Sequence, residues 1–244
     1  MADVAPFAIR LDNVVAGYYS HDVVLDGVTV QARPNRVTAV LGPNGSGKST
    51  ALRILAGFLR PRSGRVLLAD ADITDTPAHR RLALGLGFLP QGRSAFPSLT
   101  VQENLLVGAW HVRADRRRVA AALDAAFERY PTLGPLRRRR AGTLSGGQQR
   151  LLEMARLLVT DPQVLLIDEP SAGLSPLLAD VAYSEIERMR SEGRTILLVD
   201  QNVRAAIELA DDVYVLAYGR NESSGPRSDY ADLDRLVREW LRSG

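Results

Sequence analysis

The stretch of sequence that decides the fold is a glycine-rich loop with the residues Gly42, Pro43, Asn44, Gly45, Ser46, Gly47, Lys48, Ser49 and Thr50. It fits the pattern G-x-x-x-x-G-K-[ST], with an apolar strand before it and a helical segment after it, as this pattern requires. Glycines let backbone N–H groups converge on phosphate oxygens, and the following helix directs its positive end at the same anion. Lys48 would reach the β- and γ-phosphates of a nucleotide, and the Ser49 hydroxyl would bind Mg²⁺. A glycine-rich turn without a ligand is the alternative.

The composition indicates a globular chain and excludes several other classes of protein. Of its 244 residues, 45% are hydrophobic and 24% are charged, which is ordinary for a folded domain. The absence of cysteine excludes disulfides and thiolate metal sites, and the three histidines share no ligand spacing. A net charge of +3 is too small to indicate nucleic acid, and the arginine runs at 116–118 and 137–140 are typical of solvated helix faces. The sole lysine of the sequence is Lys48.

The first residues show neither the basic region nor the apolar core of a signal peptide. No apolar stretch approaches the roughly 20 residues that a membrane-spanning helix needs. We therefore expect the chain to remain in the cytosol and to act at a membrane only through a partner.

The order of the predicted elements indicates a parallel sheet covered by helices. Strands are predicted at 7–15, 23–33, 37–42, 65–69, 86–89, 164–167, 195–199 and 213–217, and helices at about 49–58, 176–191 and 203–210. Residues 101–160 show only helical patterns, and a last amphipathic helix is predicted at 229–241. We expect a single domain over 1–244, in which 1–90 and 160–244 form a nucleotide-binding core and 91–159 form a helical insert.

Two adjacent acids end one of the predicted buried strands, at Asp168 and Glu169. The carboxyl ends of parallel strands are where an open α/β sheet binds its ligand. Asp168 would hold Mg²⁺ through a water molecule, and Glu169 would align a water and accept its proton during attack on the γ-phosphate. The alternative is that the two acids cap the next helix.

A second anion-binding helix end is predicted at Leu144-Ser145-Gly146-Gly147-Gln148, where Ser145 is a favourable N-cap. This LSGGQ, followed about two dozen residues later by an apolar strand that ends in Asp-Glu, resembles the ABC-type ATPase family along nearly the whole chain. The resemblance implies an α/β fold with a P-loop NTPase (RecA-like) core and parallel sheet, an N-terminal antiparallel β region and an inserted α-helical subdomain. It also implies ATP hydrolysis with Mg²⁺. Ser145, Gly146, Gly147 and Gln148 would close on ATP that a partner subunit holds.

Other positions resemble further motifs of this family. Gln91 resembles the Q-loop glutamine, which meets Mg²⁺, and Tyr18 or its neighbour Tyr19 resembles the aromatic residue that stacks on adenine. Ser175 stands where the D-loop of the family usually has aspartate, and Gln201 stands in place of the switch histidine. Because glutamine is neutral and cannot shuttle a proton, hydrolysis would depend on Glu169, with Gln201 and Lys48 contacting the γ-phosphate.

Local features are similar to the second ATP-binding subunit of branched-chain amino-acid importers, whose relatives serve urea and short amides. This resemblance implies a second ATP-binding subunit, identical or different, transmembrane permease subunits and, indirectly, a substrate-binding protein. It places the chain at the cytoplasmic side of the cell membrane, with residues from about 91 to 118 lining the groove for the permease. A soluble ABC-type ATPase of DNA repair or translation, a P-loop kinase and a regulatory ATP-binding protein remain the alternatives.

Overall fold

The computed structural model describes residues 8–230 of the chain. The predicted helix at 229–241 therefore lies, from residue 231 onward, outside the described residues. Its first two residues belong to a short 3-10 turn at Arg227–Tyr230.

The centre of the fold is a six-stranded sheet in the order β10-β9-β3-β8-β7-β6. Its strands are β3 Val37–Leu41, β6 Leu86–Leu89, β7 Val164–Asp168, β8 Thr195–Val199, β9 Asp212–Ala217 and β10 Arg220–Pro226. All pairs are parallel except that of β9 with β10. Every residue of β3, β7 and β8 is buried, as expected for strands covered on both faces. The predicted parallel sheet is confirmed.

The N-terminal region forms a separate antiparallel sheet in the order β2-β1-β4-β5. Its strands are β1 Ile9–Ala16, β2 Leu25–Ala32, β4 Ser63–Leu68 and β5 Ala71–Asp72. Buried and less buried residues alternate along much of β1 and β2, so this sheet has one face toward the core and one toward solvent. The predicted N-terminal antiparallel β region is confirmed.

Seven α-helices are present among the described residues. They are α1 Lys48–Leu55, α2 Ala78–Ala83, α3 Val101–Gly108, α4 Arg116–Arg129, α5 Gly146–Leu158, α6 Pro176–Ser191 and α7 Val203–Leu209. Residues 90–163, all of which the structure describes, contain α3, α4 and α5 and no strand. An isolated bridge between Thr100 and Arg140 is the one β-type pairing recorded there.

The central sheet separates two hydrophobic cores because consecutive strand residues point to opposite faces. In β7, Leu165 and Ile167 pack into the core beneath α3–α6, whereas Leu166 packs with α1 and the antiparallel sheet. Because β3, β7 and β8 are parallel, their carboxyl ends lie along the same edge of the sheet. The residues that follow these strands are therefore brought to a common place.

Three elements were not predicted from the sequence: the short strand β5, helix α2 and strand β10. The sequence of β10, RNESSGP, is polar, and six of its seven residues are exposed, so it lacks the apolar alternation on which a strand prediction depends. Helix α2 has six residues, too few to show a helical period.

Helix α2 contributes a buried arginine, Arg81, that fastens the end of α1. Its guanidinium donates to the carbonyl oxygens of Ile54 and Leu55, at 2.7 Å each, and also to those of Ile73 and Thr74. These bonds satisfy carbonyls that a helix end leaves unpaired. Burial lowers the pKa of Arg81 to about 10, against an opposing effect of Asp72. The carboxyl end of the helix that follows the glycine-rich loop is thus fixed by α2.

Candidate active site

The glycine-rich loop connects β3 to α1, and glycine is required by its backbone. Gly47, the N-cap of α1, has φ 100°, a conformation that residues with a side chain rarely adopt. A Cβ there would lie closer than 3.0 Å to Leu25 Cδ2, so the loop and β2 are in direct contact. The backbone of the loop thus lies against the antiparallel sheet at the start of α1, where helical N–H groups are free for an anion.

Lys48 is buried, and its ammonium is bound by neutral groups of the loop. Nζ donates to the carbonyl oxygens of Gly42 at 2.9 Å and Pro43 at 2.8 Å. Within residues 8–230, no ion pair with a carboxylate is found at this nitrogen. Burial lowers the pKa of Lys48, while the nearby negative charges of Glu169 and Asp168 oppose that shift. A buried cation without an ion-pair partner is a favourable place for a phosphate.

Asp168, the last residue of β7, is buried beside this loop. Ser49 Oγ donates to Asp168 Oδ1 at 3.0 Å. Burial raises the pKa of Asp168 to about 6; the Ser49 hydrogen bond opposes this, and the charge of Glu169 adds to it. The paired hydroxyl and carboxylate are oxygen donors of the kind Mg²⁺ prefers. No group of three or more His, Cys, Asp or Glu side chains able to hold a metal occurs in the described part of the chain.

Glu169 stands at the junction of three segments. Its backbone is in the left-handed region, with φ 46°, which costs about 1–2 kcal/mol for a residue other than glycine, and its N–H donates to Val199 O at 2.8 Å. Gln91 Nε2 donates to its Oε2 at 2.6 Å, and Gln201 Nε2 donates to its Oε1 at 2.9 Å. Each carboxylate oxygen therefore accepts a hydrogen bond from one side-chain amide, and these two bonds fix the orientation of the carboxylate.

The alternative that these two acids cap the next helix is wrong. Helix α6 begins at Pro176, and its N-cap is Ser175, whose side chain makes no capping hydrogen bond among the described residues. The predicted D-loop serine therefore lies at the start of α6. The two acids face the glycine-rich loop and the two glutamines.

The two candidate tyrosines differ in where their side chains lie. Tyr18 is 46% exposed, and its hydroxyl lies 3.2 Å from Thr50 Oγ1 and accepts from Arg53 at 3.1 Å. Tyr19 is 70% exposed and stacks on His21. Because Thr50 and Arg53 belong to α1, Tyr18 is the tyrosine held beside the glycine-rich loop.

The LSGGQ segment forms the start of α5, as expected. Ser145 is the N-cap and forms a capping box with Gln148: Gln148 N donates to Ser145 Oγ at 3.3 Å, and Ser145 N donates to Gln148 Oε1 at 3.1 Å. Gly147 packs against Leu178, while the space beside Gly146 is open. Among the described residues, Ser145 and Gln148 make no hydrogen bond with the glycine-rich loop, Asp168 or Glu169.

Sequence reasoning missed a buried carboxylate next to Gln201. Asp200 follows β8 and accepts hydrogen bonds from Tyr183 Oη at 2.9 Å, Ser171 Oγ at 3.2 Å and Asn202 N at 3.0 Å. Burial raises its pKa, and these hydrogen bonds oppose the shift. Asp200 thus fixes the loop that carries Gln201 to the segment after Glu169. An acid directly after an apolar strand was the signal, as it was for Asp168.

The sequence is similar to those of known proteins. The family described as ABC transporter matches residues 25–172. A probable branched-chain amino acid transport ATP-binding protein LivF of Archaeoglobus fulgidus is 40% identical over 231 residues, which cover 94% of this chain and 97% of the relative. The high-affinity branched-chain amino acid transport ATP-binding protein BraG of Pseudomonas aeruginosa is 37% identical, over 84% of this chain and 88% of the relative.

The architecture is likewise found among solved structures. The ADP conformation of an ATP-binding cassette of an ABC transporter superposes with a TM-score of 0.83 at 29% identity, over 98% of this chain and 99% of that one. No helix among residues 8–230 is long and apolar enough to cross a membrane. With the glycine-rich loop, the paired acids and the LSGGQ helix in the places described, the chain belongs to the ABC transporter family as an ATP-binding subunit that hydrolyses ATP.

Proposed function

We propose that this chain is the ATP-hydrolysing subunit of a branched-chain amino-acid importer and works at the cytoplasmic side of the cell membrane. The catalytic part of this proposal is supported by one observation. Two side-chain amides orient the Glu169 carboxylate beside the Ser49–Asp168 pair. The transport part is supported by the named relatives LivF and BraG.

ATP would bind with its phosphates on the glycine-rich loop. The backbone N–H groups of residues 42–49 and the N-terminus of α1 would receive the phosphate oxygens. Lys48 would exchange its bonds to the Gly42 and Pro43 carbonyls for charge-assisted bonds to the β- and γ-phosphates. The Tyr18 ring, held at α1 by Thr50 and Arg53, would stack on adenine.

Ser49, Asp168 and Gln91 are the residues that would hold Mg²⁺ together with the phosphates. The hydroxyl and the carboxylate lie within hydrogen-bond distance of each other, and oxygen donors of this kind fit the ion. When bound, Mg²⁺ neutralises charge on the phosphates. Ionised Asp168 is the form that contributes, so Mg²⁺ would compete with protonation of this carboxyl, whose pKa burial raises to about 6.

Glu169 would be the general base of hydrolysis. Its carboxylate would orient the attacking water and accept a proton from it as the bond to the γ-phosphorus forms. Gln91 and Gln201 each donate an amide N–H to this carboxylate, which holds it in position. Gln201 would also donate to the γ-phosphate, but its neutral amide cannot carry the proton away.

The site would be completed by a second ATP-binding subunit. Ser145, Gly146, Gly147 and Gln148 at the start of α5 would contact the γ-phosphate bound by the partner subunit, in each direction across the interface. The open space beside Gly146 supports such an approach. Hydrolysis removes the γ-phosphoryl group that both subunits contact, so the dimer can open again.

Permease subunits would bind the groove between the sheet core and the helical insert. Residues 91–118, which we expect to line it, include the exposed apolar side chains of Phe96, Val107 and Trp110. Exposed large apolar side chains grouped in one region mark interaction surfaces. A substrate-binding protein would act on the permease and not on this chain.

The experiment is affinity purification of the tagged chain from membranes of its own organism, followed by reconstitution of the complex in proteoliposomes. We expect permease subunits to copurify, and ATP to drive accumulation of labelled leucine that Glu169→Gln abolishes. Accumulation of urea or a short amide instead of leucine would identify the alternative importer. Recovery of the chain without membrane proteins would favour a non-transport ABC-type ATPase.

A further inference from the structure

Helix α5 carries a buried ion pair, Arg150 and Glu153, two and five residues after the LSGGQ segment. Arg150 and Glu153 are 6% and 3% exposed, and the Arg150 Nη1 atom lies 2.9 Å from Glu153 Oε2. An exposed pair at this spacing would contribute little to stability. A buried pair is costly to desolvate, and further hydrogen bonds offset part of that cost. The other bonds of these two residues therefore indicate what the pair does.

Glu153 binds the chain segment that follows Gln91. Its Oε1 atom accepts hydrogen bonds from the backbone N–H groups of Ser94 and Ala95. One turn further along α5, Arg156 donates to Ser94 O and Ser94 Oγ, at 2.8 Å each. The backbone of Ser94 is thus held on both sides by the same helix, so this segment moves with α5.

Two residues of this arrangement contact Glu169: Arg150 on α5, and Gln91 just before the segment that α5 holds. Arg150 Nη2 donates to the Glu169 carbonyl oxygen at 3.4 Å, and Gln91 Nε2 donates to the Glu169 carboxylate. Only Gly92 and Arg93 separate Gln91 from Ser94, which α5 holds. The Cα atoms of Gln91 and Ser94 can therefore be at most about 10 Å apart. The position of α5 therefore limits where the Gln91 amide can lie.

We propose that Glu153 is a positioning residue for hydrolysis, which ties the signature helix α5 to Gln91 and thereby sets the orientation of the Glu169 carboxylate. The proposal rests on the function proposed above for Glu169. Its consequence is mechanical. When Ser145 at the head of α5 contacts the nucleotide of the partner subunit, the same rigid unit holds Gln91 against Glu169, so the contact across the interface and the orientation of the base are coupled.

The role of Glu153 predicts a selective kinetic effect. Glu153 makes no hydrogen bond with residues 42–50, so its loss should leave the contacts of the glycine-rich loop with the phosphates unchanged. If the Glu169 carboxylate loses its fixed orientation, the rate of the chemical step falls, because small misplacements of catalytic groups slow a reaction strongly. In the assembled complex, Glu153→Ala should lower kcat about tenfold and leave KM for ATP within about twofold. Glu153→Gln, whose amide oxygen can still accept from Ser94 and Ala95, should recover part of kcat.

The matched control is Glu185→Ala, which removes another buried carboxylate in the same way. Glu185 on α6 accepts from Arg129 at 2.6 Å and from Tyr130 Oη at 2.7 Å, and it has no bond to the residues of the site. It should lose stability comparable to that of the Glu153 variants and keep kcat within about twofold. Hydrogen exchange gives a second readout: in Glu153→Ala, the amides of residues 94–95 should exchange faster than in wild type.

Wild-type kcat in Glu153→Ala, or a loss of kcat in Glu185→Ala as large as in Glu153→Ala, overturns the proposal. Glu169→Gln, measured in parallel, separates the two assignments. If Glu169→Gln is inactive and Glu153→Ala is fully active, positioning by Glu153 fails and the base assignment stands. If Glu169→Gln turns over normally, the base assignment fails, and the exchange of residues 94–95 still decides whether Glu153 fixes this segment.

Discussion

Replacement of Asp168 by asparagine should stabilise the nucleotide-free protein while it weakens the binding of Mg·ATP. Burial raises the pKa of this carboxyl from 3.8 to about 6. The folded protein therefore binds the proton more tightly than the unfolded chain, and stability falls as the pH rises from about 4 to about 6. A difference of roughly two pKa units corresponds to about 3 kcal/mol lost at pH 7.

The asparagine side chain has nearly the same shape, and its amide oxygen can still accept from Ser49. We expect Asp168→Asn to raise the free energy of unfolding by about 3 kcal/mol at pH 7 and by about 1.5 kcal/mol at pH 5, where part of the wild-type carboxyl is already protonated. The measurement is urea unfolding without nucleotide at both pH values. Asp124→Asn, at an exposed position on α4, controls for the chemical change and should stay within about 0.5 kcal/mol of wild type.

Titration calorimetry with Mg·ATP at pH 7 supplies the second half of the test. The variant should bind more weakly than wild type, because a neutral amide replaces the carboxylate that would hold the cation. Equal stabilisation at pH 5 and pH 7 would refute the reasoning, since the gain must follow the ionisation of the wild-type group. A destabilised variant at pH 7 would refute it as well.

Two further substitutions test the site by kinetics and by packing. Glu169→Gln should bind ATP within about twofold of wild type and lower phosphate release about 10²–10⁴-fold, the usual contribution of a general base; near wild-type turnover would exclude Glu169 from this role. Gly47→Ala should destabilise the protein by about 2 kcal/mol or more and weaken ATP binding, because it strains a left-handed residue and forces a Cβ against Leu25. Gly45→Ala, with a positive φ but nothing within 4 Å of its Cβ, is the control for strain alone, and an equal loss in both variants would contradict the packing argument.

The central sheet could be predicted because its strands are short apolar runs between glycines, helices and acids. Strands β3, β7 and β8 are buried on both faces, so most residues in them are Val, Leu or Ile, a strong signal. Strand β10 could not be predicted, since it pairs only at an edge and its polar residues show no period. Backbone pairing with β9 forms this strand, and such pairing does not depend on which residue types are present.

Part of the active site was predictable for a similar reason. The glycine-rich loop, Asp168 and Glu169 follow strands whose ends meet at one edge, so their proximity follows from the order of the elements. Glu153 could not be predicted, because an arginine and a glutamate three residues apart on a helix are usually an exposed pair. Its burial depends on the loop at 94–96, which the sequence does not place against α5. The bonds of Gln91 and Gln201 to Glu169 likewise require three segments that lie far apart in the chain.

The measurement that tests the central claim most directly is a nucleotide-dependent crosslink between subunits. The chain has no cysteine, so a disulfide can form only between introduced residues. Asn44→Cys would place one on the exposed part of the glycine-rich loop, and the other would replace the signature glycine of the paired subunit, Gly146 if the partner is a second copy. In the Glu169→Gln background, the intersubunit disulfide should form with Mg·ATP and not with Mg·ADP or without nucleotide. Equal crosslinking in all three conditions, or none with Mg·ATP in the assembled complex, would contradict a nucleotide held between the two subunits.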